Sequence, residues 1–312
     1  MVLLFVNLAT SMIFLALTGK QRLGLFVTHA GLVLMLAAGA VTFYYGSESQ
    51  LTLMEGEGAN VAAAYYDWEV AAWPGTDRGD DRAISAVDVS DLHQGAQLFL
   101  EALDLDLVVE RVHPNCTPAS GAPAGEPPLS LSGWTELTGV RPGKEPATDR
   151  PGAILRIKST SGDEARVLIW GGDSRPIRWS SGDTSYAFTL RRKRVPLPAL
   201  IHLIDFKKEF HPGSRIAKSF SSQVTVEDGE VERQVLISMN KPLRYKGFTF
   251  YQSSYRDLPG RVESSTLAIV KNYGRLMPYI ATAATVIGMC LHFVGLLVVR
   301  LSHQSKPAKG VS

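Results

Sequence analysis

Two histidines stand where an ionisable side chain is costly. His29 lies within residues 23–45 (LGLFVTHAGLVLMLAAGAVTFYY) and His292 within 277–299 (MPYIATAATVIGMCLHFVGLLVV), and neither stretch holds a charged residue. In hydrocarbon such a group is a functional-site hypothesis by default. Imidazole is also the commonest protein ligand for metals and a standard axial ligand of haem iron. Three chemistries are open to these rings: packing by hydrogen bond to a neighbouring helix, ligation of iron or another metal, and proton relay. The relay lacks a carboxylate companion, because no Asp or Glu occurs in either stretch. His29 sits six residues into its stretch, about 9 Å along a helix, and His292 seven from the end of its own, about 10–11 Å. Antiparallel spans would bring both to similar depth, which permits a shared site and does not demand one.

Other reactive groups are sparse. Cys116 and Cys290 are the two cysteines, with no CxxC pair for thiol exchange and no CxxCH for covalent haem attachment. HExxH, P-loop and GxSxG patterns are absent as well. His93, His113, His202 and His211 are scattered without ligand spacing. A net charge of +2 over 312 residues gives no concentrated basic surface, so nucleic acid is not an expected partner. These features point to a binder or scaffold rather than an enzyme acting alone.

The elements that would position the histidines are apolar helices. About 20 apolar residues cross a bilayer core, so 23–45 and 277–300 are both long enough. Residues 2–17 form a shorter apolar run followed by Lys20 and Arg22. A signal peptide has its basic residues first and a small-residue cleavage site, so this run is read as a short or truncated membrane helix. A missing first helix upstream, or one supplied by a neighbouring product, is expected. Lys20 and Arg22 before the second helix, and Arg300, Lys306 and Lys309 after the last, put both clusters on the cytoplasmic side. Lys271 and Arg275 argue weakly the other way. The expected organisation is a membrane region at 1–45, an outside domain at 46–276, a transmembrane helix at 277–300 and a cytoplasmic tail at 301–312.

The outside domain reads as mostly β, an antiparallel sandwich or open barrel. Short alternating runs recur at 103–107, 153–158, 166–170, 185–190, 223–227, 233–238, 247–252 and 265–270. Between 113 and 152 the composition shifts to Pro, Gly, Ser, Ala and Thr. Such a segment buries too little apolar surface to offset chain entropy, so a flexible insertion is predicted.

Several segments, taken in order, resemble the ResB family of cytochrome c biogenesis proteins. They are Asn7, Gly24 and Thr28-His29-Ala30-Gly31-Leu32, then Leu51 to Glu57 (LTLMEGE) and Asp67-Trp68-Glu69-Val70. The resemblance is densest in Phe206 to Ser214 (FKKEFHPGS) and in Ile237 to Tyr255, where Asn240, Pro242, Gly247, Tyr251 and Gln252 form an Asn-x-Pro…Gly…Tyr-Gln signature. The resemblance implies a subunit of the bacterial inner membrane that pairs with a ResC-type partner, also called CcsA. Together the two would carry haem b across the membrane and deliver it to apocytochrome c. It further implies that His29 is one axial haem ligand. His292 matches no family motif. The five signature residues fit a turn and a strand as well as they fit contacts to haem, apocytochrome or partner.

Overall fold

The structure, a computed structural model, describes residues 2–17, 22–75, 84–121, 126–214, 217–257 and 263–304. Lys20, Lys306 and Lys309, which carry much of the orientation argument, lie outside these. The chain forms two compact units. One comprises Met1–Ser47, Arg244–Thr249 and Val270–Ser312; the other comprises Glu48–Leu243 and Phe250–Ile269.

The first unit is built on three helices: α1 (Val2–Leu17), α2 (Leu23–Tyr45) and α3 (Met277–Gln304). Both α2 and α3 are long and apolar enough to cross a membrane. Gly24, Gly31 and Ala38 are buried at seven-residue spacing along α2 and make a seam of minimal width. A Cβ on Gly24 would lie 2.4 Å from the His292 amide nitrogen, and one on Gly288 would lie 2.4 Å from the Thr28 amide nitrogen. One on Gly31 would meet the Thr285 amide at 2.7 Å. Backbone rests on backbone, a closeness only small residues allow. Thr28 and Thr285 sit in the same seam and return their hydroxyls to the Gly24 and Ala281 carbonyls, so neither brings an unsatisfied polar group into the contact.

The second unit is mostly β. Its large sheet has ten strands, with a main path β13-β12-β11-β2-β1-β16-β15-β14 and with β10 and β3 pairing β11 and β2 from the side. These strands are β1 (Ser47–Met54), β2 (Gly58–Pro74), β3 (Ser85–Asp88), β10 (Ile177–Ser181) and β11 (Thr184–Phe210). Completing the path are β12 (Ala217–Asp228), β13 (Val231–Ser238), β14 (Leu243–Tyr245), β15 (Phe248–Asp257) and β16 (Glu263–Lys271). The ladders joining β1 to β2, β2 to β11, β11 to β12 and β12 to β13 are antiparallel. The β2–β11 register slips between Pro196 and Ile201. Pro196 and Pro198 lack the N–H that a ladder needs, so pairing stops there and resumes beyond them.

A second sheet runs β4-β5-β8-β9, from β4 (Gln97–Leu100), β5 (Leu105–His113), β8 (Gly152–Ser159) and β9 (Glu164–Trp170). Its inward residues Leu107, Val109, Leu155, Ile157, Val167 and Ile169 share one core with Val70, Phe188 and Leu190 of the large sheet. On β5, β8 and β9, Glu110 accepts from Arg156 at 2.6 Å and from Arg166 at 2.6 Å. Partial burial alone would raise the Glu110 pKa; the hydrogen bonds from Arg166 and Arg156 outweigh that and hold it below the usual glutamate range.

Most of the alternating runs fall within strands, but two readings need correction. The run at 103–107 begins too early. Residues Glu101–Leu103 form a 3-10 turn, and Asp104 adopts the left-handed conformation (φ 52°) that Asp tolerates, so β5 starts at Leu105. Residues 113–152 are not a structureless insertion. They carry β6 (Cys116–Ala119) and β7 (Glu136–Gly139), paired antiparallel. Cys116 and Leu137 are anchored in a core with Ile154 and Leu168, flanked by Trp134 and Trp170. Averaged composition hid this, because a few large side chains placed at the right points suffice to hold a proline-rich segment.

Two predictions follow from these contacts. Gly288→Ala forces α2 and α3 apart, and the full chain in detergent should lose about 1–3 kcal/mol of stability; Gly295→Ala, where an added Cβ meets open space, should leave the melting temperature unchanged. Burial pushes the Cys116 thiol up to about 11 from its ordinary 9. An acid raised in this way favours the folded state below its unfolded pKa, and the benefit disappears as pH rises through 11. Denaturant midpoints measured across that window should fall more steeply for the native chain than for Cys116→Ala.

Candidate functional site

The His29 side of α2 faces α1. Arg22, Leu25 and His29 recur at helical spacing, and Leu3, Val6, Asn7, Thr10 and Phe14 form the matching stripe on α1. Between them lies an open groove of about 750 Å³. Its walls combine Leu3, Val6, Phe14, Leu15 and Leu25 with the polar Asn7, Thr10 and Ser11 of α1, the His29 imidazole of α2 and the Arg22 guanidinium just before α2. The His29 Nδ1 is 2.8 Å from the Leu25 carbonyl oxygen. A carbonyl only accepts, so Nδ1 is the donor in this contact, and in the neutral ring the lone pair is then on Nε2. A backbone acceptor that fixes the tautomer of a ligating histidine is the usual arrangement at metal sites. Arg22 is more than an orientation charge: its helical spacing to His29, visible in the sequence, puts both on one groove.

His292 is not part of this groove. Gly24 packs on His292 and Gly288, while Gly31 packs on Ala281 and Thr285. That register places His29 level with about residue 285 of α3 and His292 about two turns further along, roughly 10 Å. The expected similar depth therefore does not hold. Counting from the ends of the apolar stretches assumed that both helices begin and end in one plane, and their packing register is offset from that. The His292 ring instead lies against Phe293, with ring centroids 5.4 Å apart.

The signature residues of the second half fall into three local roles. Met239-Asn240 forms a two-residue turn closed by paired Ser238 and Lys241 backbone hydrogen bonds, and Pro242 follows it where no N–H is required. Lys246 and Gly247 both have positive φ (41° and 84°) in the tight turn joining β14 to β15, the pattern that matches strand twist and that glycine makes cheap. Tyr251 points outward, while Gln252 shares the inward face of β15 with Phe250. Gln252 Oε1 accepts from Ser222 Oγ at 2.7 Å, and its Nε2 donates to Ser265 Oγ at 2.9 Å. Ser222 and Ser265 meet at 2.7 Å, closing a buried ring of hydrogen bonds across β12, β15 and β16.

Because β12 and β15 are distant in strand order, this ring shows the large sheet curling over its own inner face. Phe206 and Phe220 both pack on Tyr255 in the same closure, with centroids 5.4 Å away in each case. Lys208 is gripped by Asp257 at 2.5 Å and Glu263 at 2.8 Å, and those hydrogen bonds raise its pKa to about 12. The segment 51–57 meets 206–214 directly: the Phe206 amide donates to Glu55 Oε1 at 2.8 Å. Glu69, almost wholly buried, accepts from Arg191 Nε at 2.8 Å. No cluster of metal-ligating side chains occurs in the described residues.

Residues 177–280 match the ResB-like family. They run from β10 to the first turn of α3 and include the Ser222–Gln252–Ser265 ring, the Lys208 clamp and all five signature residues. Over these residues, a third of its length, the chain is similar to the ResB-like family. The protein NrfI of Wolinella succinogenes is 32% identical over 108 residues, covering 34% of this chain and 11% of that protein. The present chain thus spans only about a tenth of that curated relative. His29 and the groove lie outside the residues matched to the family, so the His29 reading rests on its groove geometry and on the motif around it.

Within the matched region the motif residues brought together are mainly those that close the β unit. Gln252→Leu should cost about 1–3 kcal/mol by removing two of the ring's three hydrogen bonds and leaving the Ser222 hydroxyl without its acceptor. Chemical denaturation of the full chain should show that loss, whereas Tyr251→Phe, at an outward position, should fall within about 0.5 kcal/mol of the native chain.

Proposed function

We propose that this chain is a membrane subunit of a ResB/ResC-type cytochrome c synthesis complex, set in the bacterial inner membrane with its β unit on the outer face. In this reading haem is the cargo, received in the membrane and passed with a ResC- or CcsA-type partner to apocytochrome c. The family match supports the biogenesis role. The observation that carries the haem assignment is the contact of His29 Nδ1 with the Leu25 carbonyl in the wall of the groove, which in a neutral ring leaves the Nε2 lone pair for a ligand.

The residues present suit the cargo. Haem is a flat apolar macrocycle with an iron that takes axial imidazole and with two propionate carboxylates at one edge. His29 would supply one nitrogen to the iron, Leu3, Val6, Phe14, Leu15 and Leu25 would cover the macrocycle, and Arg22 would answer a propionate. The chain offers one imidazole to the groove, so the second axial ligand falls to the partner. His292 does not line this groove; its backbone is a packing surface for Gly24. The buried Cys116 thiol is too poor an acid to exchange with the client's cysteines, and their reduction belongs to other proteins.

The test is the absorption spectrum of the full chain purified in detergent with its co-expressed partner. His29→Ala should lose most of a reduced b-type spectrum, and added imidazole should restore it by occupying the vacated ligand position. Full haem occupancy in His29→Ala would remove His29 as ligand. Absence of haem from an intact native complex would leave a membrane-tethered scaffold as the function.

A further inference from the structure

We propose that the helical unit carries a binding surface for anionic phospholipid head groups, formed by Arg244, Lys246, Lys271 and Arg275 among exposed tyrosines. The inference rests on α2 and α3 spanning a bilayer. Three parts of the chain, distant in sequence, meet in this unit: the end of α2, the turn at 244–249 and the approach to α3. Gly274 packs against Thr42 and Val41, and Thr42 Oγ1 donates to Asn272 Oδ1 at 3.3 Å. The Lys271 Nζ lies 5.0 Å from the Phe248 ring and 5.2 Å from the Tyr273 ring. One patch therefore includes the C-terminal end of one candidate span and the N-terminal end of the other.

Charge and side-chain type both point to a lipid interface. Residues 244–249 and 270–280 hold four cations and no Asp or Glu. Around them Phe43, Tyr44, Tyr45, Tyr273 and Tyr279 are each at least two-thirds exposed. Large rings left in the open at the ends of apolar helices form the aromatic belt of a membrane interface, and basic residues beside such a belt attract phosphate-bearing anionic lipids. The same chemistry accounts for Lys271 and Arg275, which run against the positive-inside pattern: on this face they hold head groups.

The experiment uses the full chain in phosphatidylcholine nanodiscs doped with phosphatidylglycerol, with lipids retained by the protein counted by native mass spectrometry. The native chain should enrich phosphatidylglycerol. Arg244→Gln/Lys246→Gln/Lys271→Gln/Arg275→Gln should lose the enrichment by at least tenfold, at roughly fivefold per charge. Arg244→Gln/Lys246→Gln, the gentler change to the fold, should show an intermediate loss. Inorganic phosphate should not displace the lipid, and Arg300→Gln/Lys306→Gln/Lys309→Gln should retain full enrichment. Undiminished enrichment in the quadruple variant, displacement by free phosphate, or loss in the tail variant would each overturn the proposal. Carbonate washing of native membranes separates the two ideas. Release of the native chain would sink the spanning reading itself, whereas retention without lipid preference would sink only the head-group surface.

Discussion

The contact between the α2 and α3 backbones governs the helical unit. Gly24, Gly31 and Gly288 give up side-chain area so that amide and carbonyl groups can touch across the seam. What replaces that area is dispersion between close-packed main chains and freedom from desolvated polar groups, since each seam threonine satisfies itself within its own helix. The choice of seam then decides everything else on α2. With Thr28 turned to α3, the next residue is rotated by about 100°, and His29 is presented to α1. The groove is a by-product of where the glycines are.

The β unit solves a different problem. A ten-stranded sheet that folds back on itself must bring polar positions inside, and here they are made to bond in closed sets. Ser222, Gln252 and Ser265 complete a ring, and Glu69 meets Arg191. Each set is costly to break, because removal of one member strands the others in a medium that cannot replace them. The family match covers the first of these sets rather than the groove.

Much of this was legible in the residues. The apolar helices announce themselves by length and freedom from charge, and period-two alternation marks most of the strands. His29 stood out because imidazole in an apolar helix needs a reason. What could not be read was register. The offset between His29 and His292 depends on which glycine meets which, and nothing local to either histidine encodes it. The hairpin of β6 and β7 was missed because its anchors, Cys116 and Leu137, act through Ile154 and Leu168 far along the chain. Gln252 was readable as inward by its spacing from Phe250, but its two serine partners belong to strands that only the curl of the sheet brings near.

The interruption at Pro196 and Pro198 bears on how the chain assembles. β11 has 27 residues, and drawn straight it would run to about 90 Å. A ladder of that length has a weakness: one residue of slip anywhere would turn every side chain to the wrong face. Two residues unable to donate a hydrogen bond interrupt its pairing with β2 between Pro196 and Ile201, and a further shift between Arg192 and Arg194 shortens the continuous stretches again. An error made while zipping one stretch stops at the prolines and leaves the other free to find its register independently.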